Sequence, residues 1–137
     1  MLKSLRFDQS QKMILSSHLA SCLPEEGCGL IAGRGRRVEE IFPIANRLHS
    51  PTGFEMDAQE ELDALIRIDQ LELELMAYYH SHPNGPLQPS QRDIREYSLP
   101  GAAAIIWSYR KQDWQIKAFN LETDPIQEVE ICWIENP

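Results

Sequence analysis

Cysteine is scarce in this sequence: three residues, Cys22, Cys28 and Cys132, among 137. The number is odd and the spacing matches neither a zinc knuckle nor a dithiol redox pair, so a disulfide framework is excluded and reduced, buried thiols are expected. Long apolar runs are missing as well. The strongest, such as Ala102 to Trp107, fall far short of the ~20 residues of a membrane span, and the amino terminus, Met1-Leu2-Lys3-Ser4-Leu5-Arg6, carries no signal-peptide apolar region. The expected location is the cytoplasm. Positive charge is also short. A formal net charge of -8 argues against nucleic acid and anionic membrane as partners, because both require a positive field. The one dense basic run, Arg34-Gly35-Arg36-Arg37, reads as a solvated turn.

What is present is an ordinary core composition, 42% hydrophobic and 25% charged, which suits one globular domain over residues 1–137. Asp8 with Gln11 has capping-box spacing, and Leu15, Leu19 and Cys22 then form a helical stripe that Pro24 closes. Cys28 to Ala32 and Val38 to Ile44 read as two strands around a glycine turn. Residues 46–56, with Pro51 and Gly53, read as a loop before a second helix that Asp57 begins, with Leu62, Leu65 and Ile66 on one face. Near Leu71 the apolar period changes from helical to alternating, and the resulting strand runs into His80. Ser90 to Ser98 fits a short helix. Ala102–Tyr109, Trp114–Leu121 and Ile126–Ile134 fit three late strands.

The most informative segment runs from His80 to Asp93. Two histidines at i and i+2 on a strand project to one face, so His80 and His82 can reach one ion at about 2.0–2.1 Å while Ser81 points away. Pro83, Pro86 and Pro89 restrict the loop that returns Asp93 to them. Ser90 sits where an N-cap belongs, and Asp93 falls in the first helical turn, where the helix dipole favours an ionised carboxylate. Two imidazoles and one carboxylate leave a fourth tetrahedral position for water, the arrangement of a catalytic rather than a structural zinc. Amide hydrolysis also needs a carboxylate to move the water's proton. Spacing alone does not choose it among 21 acidic residues, although Glu26 stands at the start of an apolar strand next to glycine. Cys28 as a fourth ligand competes with its commoner use as a small buried hydrophobe. His18 and His49 read as packing or surface histidines, and Trp107, Trp114 and Trp133 as core or partner-facing aromatics.

The run His80-x-His82-Pro83 followed by Ser90-x-x-Asp93, preceded by Pro24-Glu25-Glu26-Gly27-Cys28-Gly29-Leu30, resembles the JAMM, or MPN-plus, metalloprotease family, and the similarity extends to Phe54-x-x-Asp57. The resemblance implies Zn2+ held by His80, His82 and Asp93, Glu26 as general acid and base with Glu25 the adjacent alternative, and Ser90 as helper to the oxyanion. It implies an α/β (α+β) fold, a cytidine-deaminase-like curved mixed sheet with helices on both sides. It further implies a compact prokaryotic member that cleaves after the Gly-Gly tail of a ubiquitin-like or sulfur-carrier protein; Arg34, Arg36 and Arg37 would meet an acidic carrier, and a homodimer is compatible with it. The other readings are a small-peptide zinc hydrolase, a scaffold module without catalysis, and a nucleoside deaminase, whose His-x-Glu and Pro-Cys-x-x-Cys ligands are missing here.

Overall fold

The structure is a computed structural model in which residues 2–135 are described. The element order is β1 (Ser4–Asp8), α1 (Gln9–Cys22), β2 (Cys28–Arg34), β3 (Arg37–Ile44), α2 (Ala58–Gln70), β4 (Glu74–His82), α3 (Gln91–Arg95), β5 (Ala103–Arg110), β6 (Asp113–Asn120) and β7 (Gln127–Ile134). The strands hydrogen-bond in the order β1-β3-β2-β4-β5-β6-β7, and the curved mixed sheet closes on itself as a barrel. The closing strand, β1, was not legible from the sequence. It lies parallel to β7 over five residue pairs and touches β3 at one, Arg6 with Arg37. At five residues it is too short for alternation to stand out, and the helix begins directly after it.

β4 sits at the centre of the sheet, between β2 and β5, and is buried without interruption from Met76 to His82. Its odd residues Ala77 and Tyr79 join a core with Leu5, Phe7, Ile105 and Trp107, sealed by Leu15 and Leu19 of α1. Its even residue Tyr78 joins a second core with Leu30, Ile44 and Ile106, covered by Ala64 of α2. One helix therefore covers each face, as the family resemblance implies. Burial on both faces explains why β4 reads as a continuous apolar run rather than an alternating one. Leu71 and Glu72, read as the start of alternation, instead form the C-cap and turn of α2, with Glu72 at a positive φ of 57°.

α2 also presents a different face from the expected one. Ala64 and Ile68 are buried, Leu65 is half-buried, and Leu62 and Ile66 are 51% and 47% exposed. Small Ala64 lets the helix lie close on β2 and β4, which rotates the bulkier Leu62–Ile66 stripe outward. Asp57 caps α2 by accepting from Glu60 N at 2.9 Å, and Glu60 and Glu61 complement its positive end. The β2–β3 turn uses Gly35 at a φ of 61°, which leaves Arg34, Arg36 and Arg37 at the end of the hairpin opposite Glu26. Arg34 is held by Glu39 and the Leu71 carbonyl, and Arg37 by Asp8.

Candidate metal centre

β2 and β4 carry the site at one end of the sheet. The register pairs Cys28 with His80, and Glu26, two residues before Cys28, lies on the same side as both. Ser81 faces the other way, where its hydroxyl accepts from Gly27 N at 2.8 Å and its own N–H donates to the Gly27 carbonyl. This pair ties the Glu26 segment to the histidine strand. From the other side, Glu26 N donates to Ser50 O, while the Asn46 amide donates to Glu26 O and Gly53 O. The loop over residues 46–56 is thereby strapped to the site instead of crossing freely.

His80 Nε2 and His82 Nε2 are 3.0 Å apart, and each lies 3.2 Å from Asp93 Oδ2. Three donors each about 2.0–2.1 Å from one tetrahedral ion would stand about 3.3–3.4 Å apart, so this triangle needs only a slight expansion to hold one. A nitrogen of each imidazole and an oxygen of Glu26 also lie within 4.8 Å of one another. His82 Nδ1 is 2.8 Å from Pro86 O. A carbonyl only accepts, so Nδ1 carries the proton and the lone pair of the neutral ring is at Nε2, facing the site. Ser108 donates to Gly85 O at 2.7 Å and holds the loop that supplies this carbonyl. His80 is oriented by packing instead: the Phe54 ring stacks on it at 4.5 Å, and its Nδ1 has no hydrogen-bond partner among the described residues.

Burial holds His80 below the usual imidazole range, as a neutral imidazole. Burial opposes protonation of His82 too, but Asp93, the Pro86 carbonyl and Glu26 outweigh it and raise its pKa, so an entering cation would displace a proton there. Burial opposes ionisation of Asp93, yet the hydrogen bonds with His80 and His82 and the Ser90 N–H hold its carboxyl well below the usual range. Glu26, 5% exposed, is pushed up to about 7 by burial; the Asp93 charge adds to this, while His82 and Arg92 act against it. A neutral imidazole, a protonatable one and an ionised carboxylate beside a carboxyl poised near neutrality make a donor set that could hold a divalent cation and a water.

Ser90 caps α3 by accepting from Asp93 N at 3.0 Å, and Asp93 Oδ2 accepts from Ser90 N at 2.8 Å. Of the other sequence candidates, Glu25 bonds His49 Nδ1 at the surface at 3.1 Å. His18 lies across the sheet against Tyr79 OH at 2.8 Å. Cys28 donates to Ile44 O at 3.4 Å, and burial pushes its thiol up to about 12. The three cysteines are unpaired, but only Cys28 is buried; Cys22 and Cys132 are half-buried. Phe54, Asn46 and the Pro86 carbonyl are the supporting groups that sequence reasoning left without roles. Phe54 was signalled by its place in the Phe54-x-x-Asp57 pattern, whereas nothing local marks Asn46. A cavity of about 260 Å³ opens beside Ser90 and Asp93, with Phe54, Met56, Tyr78 and Tyr97 in its wall. No helix among the described residues is long and apolar enough to cross a membrane.

Residues 9–122 match the family model of prokaryotic homologues of the JAB domain. A probable TtuB-protein conjugate cleaving protease of Thermus thermophilus is 47% identical over 58% of this chain, although the matched stretch spans only 54% of that relative. The desampylase of Pyrococcus furiosus is 37% identical over 77% of this chain and 74% of its own length. The CysO-cysteine peptidase of Mycobacterium tuberculosis is 29% identical over 77% and 73%. Among solved structures, protein DSY2949 of Desulfitobacterium hafniense superposes with a TM-score of 0.87 at 31% identity, over 96% of this chain and 94% of that one. With the family model covering most of its length and a relative 37% identical over 77% of it, the chain belongs to the JAMM/MPN family, as one of its compact prokaryotic JAB-domain homologues.

Proposed function

We propose that this chain is a zinc-dependent peptidase, acting as one domain over residues 1–137, that hydrolyses the peptide or isopeptide bond after the Gly-Gly tail of a ubiquitin-like or sulfur-carrier protein. The observation that carries this reading is the convergence of His80, His82 and Asp93 at 3.0–3.2 Å, with the Glu26 carboxyl, raised to about 7, beside them. His80, His82 and Asp93 are the zinc ligands. The bound ion would acidify its water to a pKa of about 7 and polarise the scissile carbonyl. Glu26 takes the proton from the attacking water and delivers it to the departing nitrogen, a role for which a carboxyl pKa near the working pH is suited. Ser90 uses its oxygen as an acceptor for Asp93 N, which leaves its hydroxyl hydrogen free to donate to the developing oxyanion.

The relatives' names support the substrate class, since they describe cleavage of protein conjugates and of a cysteine adduct. An extended carrier tail fits main-chain bonding beside the site, and its glycines fit a narrow passage. The cytoplasm is the compartment consistent with unpaired cysteines. The test is direct. Purified protein is expected to bind about one zinc, and Glu26→Gln to keep the metal while losing cleavage of a Gly-Gly-extended carrier; a fully active Glu26→Gln enzyme would remove Glu26 from the role.

A further inference from the structure

The cavity beside the site is lined by one cation, Arg92, among the carboxylates Glu55, Glu61, Asp93 and Glu96. Arg92 is next to Asp93 in α3, and its charge reaches Glu26. Its Nε donates to Glu96 Oε2 at 2.9 Å, one helical turn on, which orients the guanidinium. Its head lies over Gly53: a methyl group built there would stand 2.5 Å from Nη1 and 3.3 Å from Cζ. Gly53 is in turn held by Asn46, the residue that also holds the Glu26 carbonyl. Neither Nη group has a hydrogen-bond partner among the described residues, and the side chain is 41% exposed. An arginine whose position is set from two sides, with its outer donors unspent and turned to a cavity that reaches a hydrolytic centre, is organised for an acceptor that arrives from outside.

We propose that Arg92 is a substrate anchor whose Nη groups, held over Gly53 by Glu96, donate to a main-chain carbonyl oxygen of the substrate segment beside the scissile bond. This rests on the peptidase reading above. The neighbouring charges favour a neutral carbonyl over a carboxylate. Glu96 already shares the guanidinium charge, and a second full negative charge would stand among Glu55, Glu61 and Asp93. A peptide carbonyl brings only a partial charge and accepts the same two donors. Anchoring the chain here would hold the scissile bond against the metal side of the cavity, where Asp93 and Ser90 form the wall.

Arg92→Ala, Arg92→Lys and Gly53→Ala separate the anchor from a structural role. Each is measured for zinc content, for kcat and KM on a Gly-Gly-extended carrier, and, in the Glu26→Gln background, for affinity toward a fluorescent peptide ending in Gly-Gly. Loss of a charge-assisted hydrogen bond predicts that Arg92→Ala raises KM and peptide Kd about tenfold or more, with zinc retained and kcat within about threefold. Arg92→Lys recovers little of this, because an ammonium lacks the planar fork. Gly53→Ala keeps every charge but displaces the guanidinium, and is expected to move KM and Kd in the same direction. A wild type that cleaves normally while Arg92→Ala and Gly53→Ala leave KM and Kd within about twofold overturns the anchor alone. If Arg92→Ala loses zinc, Gly53→Ala decides, and unchanged binding there overturns the proposal. A zinc-loaded wild type that neither cleaves a carrier nor, as Glu26→Gln, binds the peptide overturns the functional reading and the anchor with it.

Discussion

At the start of α1, Gln11 N donates to Asp8 Oδ1 at 2.9 Å and Asp8 N donates to Gln11 Oε1 at 2.9 Å. At the start of α3, Asp93 N donates to Ser90 Oγ at 3.0 Å and Ser90 N donates to Asp93 Oδ2 at 2.8 Å. These are the same capping box, but the helices behind them differ: α1 has fourteen residues with Leu15 and Leu19 in the core, and α3 has five with none buried. A helix so short is not stable by its own backbone bonds. The residue three positions into each helix accounts for the difference. Gln11 spends its remaining donor on the Val38 carbonyl and joins helix to sheet. Asp93 turns the same oxygen that accepts from Ser90 toward both imidazoles. One box starts a helix; in the other, the helix turn serves to aim a carboxylate.

Asp93→Asn would break this contrast most severely. The amide oxygen can still accept from Ser90 N, so α3 keeps its start, but the negative charge toward the histidines is gone. Zinc affinity should fall by more than the roughly 10–100-fold that losing an outer-shell partner costs, with cleavage lost, as read by metal titration and turnover. Ser90→Ala comes next. Removing an oxyanion donor lowers kcat by about 10²–10³, and removing the cap also lowers stability by about 1 kcal/mol; a change in stability alone would reduce Ser90 to a cap.

A smaller effect is expected from pH. Burial raises the Glu26 carboxyl to about 7, and a bound cation can only lower it, because it favours the carboxylate. The base must be ionised, so kcat/KM should decline as pH falls, with a midpoint no higher than about 7; a midpoint well above that would contradict Glu26 as the base. The least effect belongs to the first box. Asp8→Ala should cost about 1 kcal/mol in thermal or denaturant unfolding and leave kcat/KM and zinc content unchanged. Loss of activity there at full folding would show that the two boxes are coupled.

Much of this was legible along the chain because it depends on near neighbours. The two-residue spacing of His80 and His82, the Ser90–Asp93 cap, the Asp8–Gln11 cap and the three late strands, correct within a residue of their bounds, are all local patterns. The face of α2 was not legible, because Leu62–Ile66 and Ala64–Ile68 are both helical stripes and only contact with β2 and β4 selects the smaller one. β1 was hidden for a related reason: its five residues gain their strand partner from β7, more than a hundred positions away. The preference for Glu26 over Glu25 came from the resemblance; the pairing of Cys28 with His80 adds the side of the sheet on which Glu26 stands.

The sequence by itself determined that His80, His82 and Asp93 can meet at one candidate centre, since strand parity and a capping box fix directions over a few residues. Only the tertiary structure decided how that centre is completed. The closed barrel brings β2 against β4, the Asn46 amide straps the 46–56 loop to Glu26, and burial then shifts the carboxyl toward neutrality. Desolvation and long-range hydrogen bonding depend on what surrounds a residue, and a linear pattern holds no record of those surroundings until the chain has closed around it.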